Sequence, residues 1–310
     1  MDLRQIGGRR MFYDLNIALP ESAGRAGGTI SSQDWAVVVQ AVEQARGLGY
    51  QVVALNQTIH GKLAADHLAV WRSIPAIKNA ELSWDRETGT RGSGSAAASV
   101  GRGKIRVLRR VTAVVSDAAQ GHSLGGAVAG EYDVVAVRPT SDKLLAAACS
   151  GTWEAVDVVS LDMGARWGYF VKHKTAGQAL ALGLSLEIAY GPALADATTR
   201  QQWVSNAAGL VRVTRGKGVI WTSGARQAFD LRSPYDITAL GDVLQLNADL
   251  SKRALSSGPR TALVHAFTRT RTVRAVISVK PPPEENAEPA SKRARVHGPS
   301  QSAEQRVGKP

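Results

Sequence analysis

Three acidic residues in this sequence could hold a divalent cation, because each lies at or near the end of a predicted strand. Asp14 lies in FYDLNI, Asp162 closes VDVVSLD and Glu187 lies in LSLEIAY. Carboxylate oxygens are ligands that Mg²⁺ prefers, and one end of a sheet could bring these three together. A structural role, in which each acid pairs with a neighbouring arginine or lysine, is the stronger prediction.

Other catalytic arrangements have little support. No two of the six histidines have the H-x-H or H-E-x-x-H spacing of a metal site. GHSLGG fits the nucleophile pattern G-x-S-x-G around Ser123, but its glycine-rich surroundings predict a loop. TRGKG lacks the first glycine of a phosphate loop and has Gly218 where a hydroxyl residue belongs, so it predicts a basic turn. Cys149 has no partner for an internal disulfide and is expected to be a small buried residue.

The elements that must position these residues alternate between β-branched runs and capped segments rich in alanine and leucine. In the clearest unit, residues 134–137 form a strand that ends at Pro139, and Thr140 or Ser141 caps the following helix. The other predicted strands are FYDLNIAL from Phe12, QVVALNQTI from Gln51, IRVLRRVTAVVS from Ile105, VDVVSLD, LSLEIAY from Leu184, GVIWTSGA from Gly218 and TALVHAFT from Thr261. The other predicted helices are residues 32–48, KTAGQALALG, a segment beginning near Asp196, and SPYDITALGDVLQL.

About eight strands that alternate with helices predict an α/β fold with a buried parallel sheet. We predict a TIM-barrel-like (β/α) barrel with a disordered basic C-terminal tail. The doubly wound open sheet is the alternative, weakened because no G-x-G-x-x-G follows the first strand. In a barrel, any site lies at the carboxyl ends of the strands. The polar residues expected there are Asp14, Asn16, Asn56, Arg138, Asp162, Glu187, Ser223 and His265.

The predicted organisation is one domain over residues 1–279 and a Pro-rich basic tail over 280–310. Residues 85–103 are rich in Gly, Ser and Ala without periodicity, so we expect a flexible insertion there. The tail has no hydrophobic face that could offset the entropy cost of folding, which predicts disorder. Short apolar runs and an N-terminus without a signal-peptide core predict a soluble, intracellular protein.

The charge of the chain favours a polyanionic partner. Its net charge is +12 and its isoelectric point about 10.1, so nucleic acid is the first expectation and an anionic membrane the second. From residue 280 onward there are six basic and four acidic residues, so ten of the twelve excess charges belong to the folded body. A basic body predicts a broad contact surface and not a single charged arm.

Several basic clusters could form that surface. On a strand, Arg106 and Arg110 share one face and Arg109 takes the other, so we expect part of this strand to face solvent or a polyanion. Lys172 and Lys174 follow a strand end, which predicts a place on the functional rim of a barrel. Arg215 and Lys217 lie in a glycine-bounded turn, where the backbone could approach a phosphate.

Six segments, in this order, resemble the thirty-kilodalton protein subunit family of ribonuclease P and ribonuclease MRP. They are YDVVAVRPTSDK, VVSLDMG, LEIAYGPAL, NAAGLVRVTRGKGVIWTSGA, LRSPYDITAL and TALVHAFTRTR. The resemblance extends over about residues 12–280, and RGKGVIWTSGA followed by LRSPYD is its most specific part. It implies a TIM-barrel-like subunit of a ribonucleoprotein in which the RNA performs the cleavage.

The resemblance also implies function and partners. The expected function is to support removal of the 5′ leader of precursor tRNA, and a shared role with ribonuclease MRP in rRNA processing is expected as well. Expected partners are the RNase P RNA, the MRP RNA, precursor tRNA and other subunits, including the Pop five type. We expect no cofactor on this chain and Mg²⁺ on the catalytic RNA. The residues predicted to bind RNA or support assembly are Arg106, Arg109, Arg110, Arg138, Lys172, Lys174, Arg215, Lys217, Arg232, Arg269 and Arg271.

Two enzymatic alternatives remain open. A stand-alone metal-dependent phosphoesterase barrel is the first, because the family resembles such enzymes in fold. Their first strand carries paired histidines, whereas FYDLNI offers Asp14 and Asn16. A barrel enzyme that acts on a small metabolite is the second, and it predicts a deep, dry pocket.

The tail segment SKRARVHGPS offers Lys292, Arg293 and Arg295 as a short basic nuclear-localisation pattern. A solvated tail and an RNA-binding arm are the alternatives. The arm is the weaker of these, since the tail supplies only two of the twelve net charges. Together with the resemblance, the pattern predicts a nuclear and nucleolar protein.

Overall fold

The computed structural model describes residues 11–83, 103–273 and 276–277. Its strands are β1 (Tyr13–Ala18), β2 (Val52–His60), β3 (Ala80–Leu82), β4 (Ile105–Val115), β5 (Val134–Pro139), β6 (Val158–Ser160), β7 (Ser185–Ala189), β8 (Val219–Thr222), β9 (Thr272–Val273) and β10 (Val276–Ile277). Its helices are α1 (Ser32–Gly47), α2 (Ala69–Ser73), α3 (Ala118–His122), α4 (Ala127–Gly130), α5 (Asp142–Cys149), α6 (His173–Ala181), α7 (Ala197–Thr214), α8 (Pro234–Val243), α9 (Ala248–Leu255) and α10 (Ser257–Arg271).

Parallel strands form the main sheet in the order β1-β2-β4-β5-β6-β7-β8. A parallel bridge between Ile17 and Ala225 links its two edges, and the Ala18 amide donates to the Ala225 carbonyl at 2.8 Å. β3 pairs with the first residues of β4. β5 pairs with the same edge of β4, further along the strand. The predicted TIM-barrel-like fold is confirmed.

Several helices begin at the predicted caps, where a side chain accepts a backbone N–H that the helix leaves unpaired. Ser141 accepts from the Leu144 amide at the start of α5 at 3.4 Å. Asp196 accepts from the Thr199 amide at the start of α7 at 2.9 Å. α5 begins shortly after β5, and α7 follows β7 after a 3₁₀ turn over Gly191–Leu194.

The last predicted strand is wrong, because TALVHAFT belongs to α10. Its buried positions are Ala262, Leu263 and Ala266, which is a helical and not an alternating spacing. Ala262 and Leu263 pack against Tyr13 and Val134 in the apolar layer inside the barrel. Tyr13 and Val134 are the first residues of β1 and β5, so α10 covers the amino end of the barrel.

The remaining core lies between the sheet and the outer helices. Cys149 is 1% exposed in this layer, which confirms its predicted burial. Among the described residues, no helix is both long enough and apolar enough to cross a membrane. The predicted insertion, apart from Gly103, and the predicted tail at 280–310 lie outside the described residues.

Candidate nucleic-acid interface

The barrel interior changes from apolar to polar towards the carboxyl ends of its strands. On β4, Leu108 belongs to the apolar layer, and Arg110, two residues further along, faces the same interior. The Arg110 guanidinium donates to both carboxylate oxygens of Glu187 on β7, at 2.7 and 2.6 Å. The two side chains are 0% and 1% exposed. A buried, bidentate ion pair therefore crosses the barrel.

Neighbouring polar groups complete the hydrogen bonds of this pair. Asn16 Nδ2 and Thr222 Oγ1 donate to Glu187 Oε1 at 3.0 and 2.7 Å, and Arg110 also donates to the Leu15 carbonyl at 2.8 Å. Burial acts to raise the pKa of Glu187, but the charge of Arg110 and the hydrogen bonds from Arg110, Ser160 and Thr222 together outweigh it, and the pKa falls to about 2. Arg110, which was predicted to bind RNA or support assembly, is therefore buried and paired within the barrel.

The three acidic residues suggested as metal ligands do not form one site. Glu187 is bonded to Arg110, and Asp162 is exposed, where its Oδ1 accepts the Gly164 amide at 3.1 Å. Asp14 is buried, and its Oδ1 accepts the Ser223 amide at 3.0 Å. Within the described residues, no group of three His, Cys, Asp or Glu side chains could hold a metal ion.

Asp14 nevertheless has an unusual environment. Burial raises its pKa to about 6, more than the hydrogen bonds from Ser223 and Asn16 lower it. No described group donates to its second oxygen, Oδ2. Asp14 is thus a buried acid with one oxygen that accepts no hydrogen bond from a described group, and the geometry assigns it no metal ion.

The other two arginines of β4 are buried as well. Arg106 is 3% exposed and pairs with Glu81 at 2.8 Å. Arg109, on the opposite face of the strand, lies 3.6 Å from the carboxylate of Glu131. The prediction that part of this strand faces solvent or a polyanion is wrong, because both sides are covered and the cations have acidic partners. The described fold leaves Arg106 and Arg109 unable to present a surface to RNA.

Arg269 also has a structural partner. It lies on α10 and donates to both oxygens of the fully buried Asp157, at 3.2 and 2.9 Å. His265, one turn earlier, places Nδ1 2.9 Å from the same carboxylate, so it does not lie at a strand end as predicted. Arg269 joins the closing helix to the start of β6. For Arg271 the structure describes only the backbone, at the end of α10.

The predicted cations that are exposed lie at two ends of the barrel. Lys172 is exposed at the end of the loop that follows β6, and Lys174 is exposed in the first turn of α6. Both lie at the carboxyl end of the barrel. Arg215 and Lys217 are exposed in the α7–β8 connection, at the amino end. The structure therefore does not bring the two pairs together, and only the first lies on the rim where barrels place their sites.

The backbone conformation of the α7–β8 turn favours glycine at two positions. Arg215 and both Gly216 and Gly218 have positive φ angles of 54°, 70° and 64°, which glycine adopts without steric cost. The Gly216 amide closes the helix by donating to the Val211 carbonyl at 3.2 Å. Arg215 also lines a surface groove of about 350 Å³ between α7 and the α8–α9 connection.

The last two predicted cations are partly buried. Arg138 is the next-to-last residue of β5, and its Nε is buried without a hydrogen-bond partner among the described groups. Arg232 donates to the carbonyls of Phe229 and Leu231 at 2.6 and 2.9 Å. Its guanidinium carbon also lies 5.6 Å from the centre of the Phe229 ring. Some of the hydrogen-bond donors of Arg232 are therefore already used within the chain.

The sequence analysis missed an aromatic group on the carboxyl-end rim. Trp167 and Tyr169 lie in the β6–α6 loop with ring centres 6.3 Å apart and planes at 8°. Phe170 follows them and is 88% exposed. The signal was available in RWGYFVKHK, where three aromatic residues lie between basic residues, a composition typical of nucleic-acid-binding loops.

Comparison with solved structures supports the fold. The chain resembles one in a cryo-EM structure of archaeal ribonuclease P with mature tRNA, with a TM-score of 0.60 and 14% sequence identity. The match covers 88% of this chain and 100% of that one. At this identity, the likeness concerns the barrel architecture alone.

Comparison with known sequences is more specific. A probable ribonuclease P protein subunit 3 from Schizosaccharomyces pombe is 30% identical, over 86% of this chain and 99% of the relative. Ribonuclease P protein subunit p30 from Mus musculus is 31% identical, over 83% and 92%. Ribonuclease P/MRP protein subunit RPP1 from Saccharomyces cerevisiae is 26% identical, over 86% and 84%. The family model for RNase P subunit p30 matches residues 11–271. This chain therefore belongs to the RNase P subunit p30 family.

Proposed function

We propose that this chain is a non-catalytic protein subunit of ribonuclease P that supports RNA-catalysed removal of the 5′ leader from precursor tRNA. The observation that carries this proposal is the Arg110–Glu187 pair. In a metal-dependent barrel, an acid at this end of a strand would be available to a metal ion, whereas Glu187 accepts hydrogen bonds from Arg110, Asn16 and Thr222. Family membership supports the same function.

The exposed cations support an RNA partner. Lys172, Lys174, Arg215 and Lys217 lie on the surface, and lysine and arginine side chains position phosphates without supplying a nucleophile. The proposed partners are the RNase P RNA, precursor tRNA and other protein subunits, including one of the Pop five type. A second particle, ribonuclease MRP, is proposed because one relative bears both names. Mg²⁺ would act on the catalytic RNA.

Purification of the tagged full-length chain from its cells tests this function. RNA sequencing of the purified particles should recover the RNase P RNA, and the particles should remove the 5′ leader of a precursor tRNA. The purified chain alone should not cleave that substrate at any Mg²⁺ concentration. Specific cleavage by the purified chain alone would instead support the phosphoesterase alternative.

The proposed location is the nucleus, and within it the nucleolus. Support comes from the eukaryotic ribonuclease P relatives and from the basic residues Lys292, Arg293 and Arg295, which lie outside the described residues. Replacement of these three by alanine should lower nuclear accumulation of a fluorescently tagged chain, while deletion of residues 280–310 should leave RNA assembly nearly intact. Nuclear accumulation of the triple variant under conditions that prevent entry with partner subunits would exclude the tail as the signal.

A further inference from the structure

Phe170 is the most exposed large hydrophobic residue in the described part of the chain, at 88%. It lies on the carboxyl-end rim of the barrel, in the loop between β6 and α6. A phenylalanine ring that is exposed to water lacks the stabilising free energy of burial, on the order of 2 kcal/mol. An exposed ring in a loop of this kind is therefore a candidate contact residue.

The loop that carries Phe170 is held in place from several sides. Asn206 of α7 is buried and donates to the carbonyls of Met163 and Ala165 at 3.0 and 2.8 Å. The Trp167 indole donates to the Asp162 carbonyl at 2.6 Å. These bonds reduce the conformational freedom that the loop would lose on binding a partner, and such preorganisation favours affinity.

The neighbouring rings add to this rigidity. The Tyr169 hydroxyl donates to the Pro139 carbonyl at the end of β5, at 3.1 Å. Tyr169 also stacks on Trp167. The loop thus uses two of its three aromatic rings to fix its own shape, and the third, Phe170, is left exposed to solvent.

The loop that carries Phe170 is rich in basic residues, and the nearby acidic residues are Asp142 and Asp162. Residues 163–186 contain no aspartate or glutamate. Arg166, Lys172, His173 and Lys174 are all exposed in this stretch. Lys172 pairs with Asp142 at 3.3 Å on the surface, and a surface pair of this kind is weak enough to exchange for a phosphate.

We propose that Phe170 stacks on an unpaired base of RNA while Lys172 and Lys174 contact the adjoining phosphates. This inference rests on the proposed function and names the RNA feature that this rim binds. Proteins that hold single-stranded RNA combine cations along the backbone with aromatic rings on which bases stack. A protein partner fits less well, because lysine is depleted from protein–protein interfaces.

Phe229 supplies a matched control. It is also a highly exposed phenylalanine on a loop that follows a strand, at 81%. The guanidinium of Arg232 lies over its ring, so one face already has a partner within the chain. We therefore expect Phe229 to contribute little to base stacking.

The test measures binding of the full-length chain to a 12-nucleotide single-stranded RNA and to a 12-base-pair duplex of the same sequence. Phe170→Ala should weaken single-strand binding by roughly 5- to 150-fold, the range of one base stack, and leave duplex binding unchanged. Phe170→Trp should restore binding, and Phe229→Ala should resemble the wild type. A 2-aminopurine base in the single strand should change its fluorescence on binding the wild type and not on binding Phe170→Ala.

Three results would overturn the inference. They are a wild-type chain that does not prefer the single strand, an equal loss for both RNAs in Phe170→Ala, and no loss in that variant. If Phe170→Ala instead releases a protein subunit from the purified particle without changing RNA affinity, the ring binds a protein. Failure of the proposed function is a separate result, because it would appear as absence of the RNase P RNA from particles of the wild-type chain.

Discussion

Arg110 and Glu187 lie 77 residues apart in the sequence and form two hydrogen bonds of 2.7 and 2.6 Å across the inside of the barrel. The pair neutralises the charge of Arg110 inside the barrel, so β4 can be buried although its sequence is strongly basic. It also holds in hydrogen bonds a carboxylate that the sequence analysis suggested as a metal ligand.

Removal of one charge from this pair should strongly destabilise the fold. Glu187→Gln leaves the Arg110 charge buried without a counter-ion, which costs about 3–5 kcal/mol of unfolding free energy. The double variant Arg110→Met/Glu187→Leu should lose less unfolding free energy than the sum of the losses in the single variants Arg110→Met and Glu187→Leu. Urea unfolding followed by circular dichroism measures both. A loss below about 1 kcal/mol in Glu187→Gln would contradict the structural role of the pair.

Asp14 should make stability depend on pH in the opposite sense to an ordinary surface acid. Its pKa is about 6 in the folded chain, against 3.8 as the ordinary value, so the folded state binds the proton more tightly. Stability should therefore fall as the pH rises from about 4 through 6, by on the order of 3 kcal/mol in total.

The variant Asp14→Asn isolates this effect, because an amide resembles the protonated acid and its oxygen can still accept the Ser223 amide. The difference in unfolding free energy between variant and wild type should grow in favour of the variant between pH 4 and pH 6. Asp162→Asn, at an exposed carboxylate, should retain the wild-type profile. Parallel profiles for wild type and Asp14→Asn would show that Asp14 titrates normally.

Arg269 should matter for stability and not for RNA. Arg269→Ala leaves the buried Asp157 with His265 as its remaining side-chain partner, and the expected cost is roughly 2–4 kcal/mol. Thermal unfolding measures this loss, and RNA binding well below the melting temperature should keep its salt dependence. A weaker salt dependence with unchanged stability would instead make Arg269 a phosphate contact.

The exposed lysines should behave in the reverse way. Lys174→Glu combined with Lys172→Glu should leave the melting temperature unchanged, weaken RNA assembly and lower the slope of log affinity against log salt by roughly one per lost contact. The same measurement on Arg215→Glu with Lys217→Glu tests the predicted contact at the amino end of the barrel. A pair whose reversal changes neither affinity nor slope lies on a solvated face.

Local sequence patterns were sufficient for the architecture. The strand-then-helix order up to β8 and the caps Ser141 and Asp196 lie where the sequence predicts them. Asn16, Asn56 and Glu187 lie within their strands and not at the predicted ends. The element order and the caps depend on neighbouring residues, through side-chain periodicity and hydrogen bonds to nearby backbone groups. The family resemblance, which the sequence comparisons confirm, added the expected function.

Tertiary structure decided which charges are exposed and which are paired. Arg106, Arg109 and Arg110 read as surface residues because their acidic partners lie 25, 22 and 77 positions away, and no local pattern encodes those contacts. TALVHAFT fits a strand or a helix by composition, and its place across the amino end of the barrel selects the helix. Burial and ion pairing depend on which distant segments meet in the folded chain, whereas turns, caps and periodicity are properties of the sequence itself.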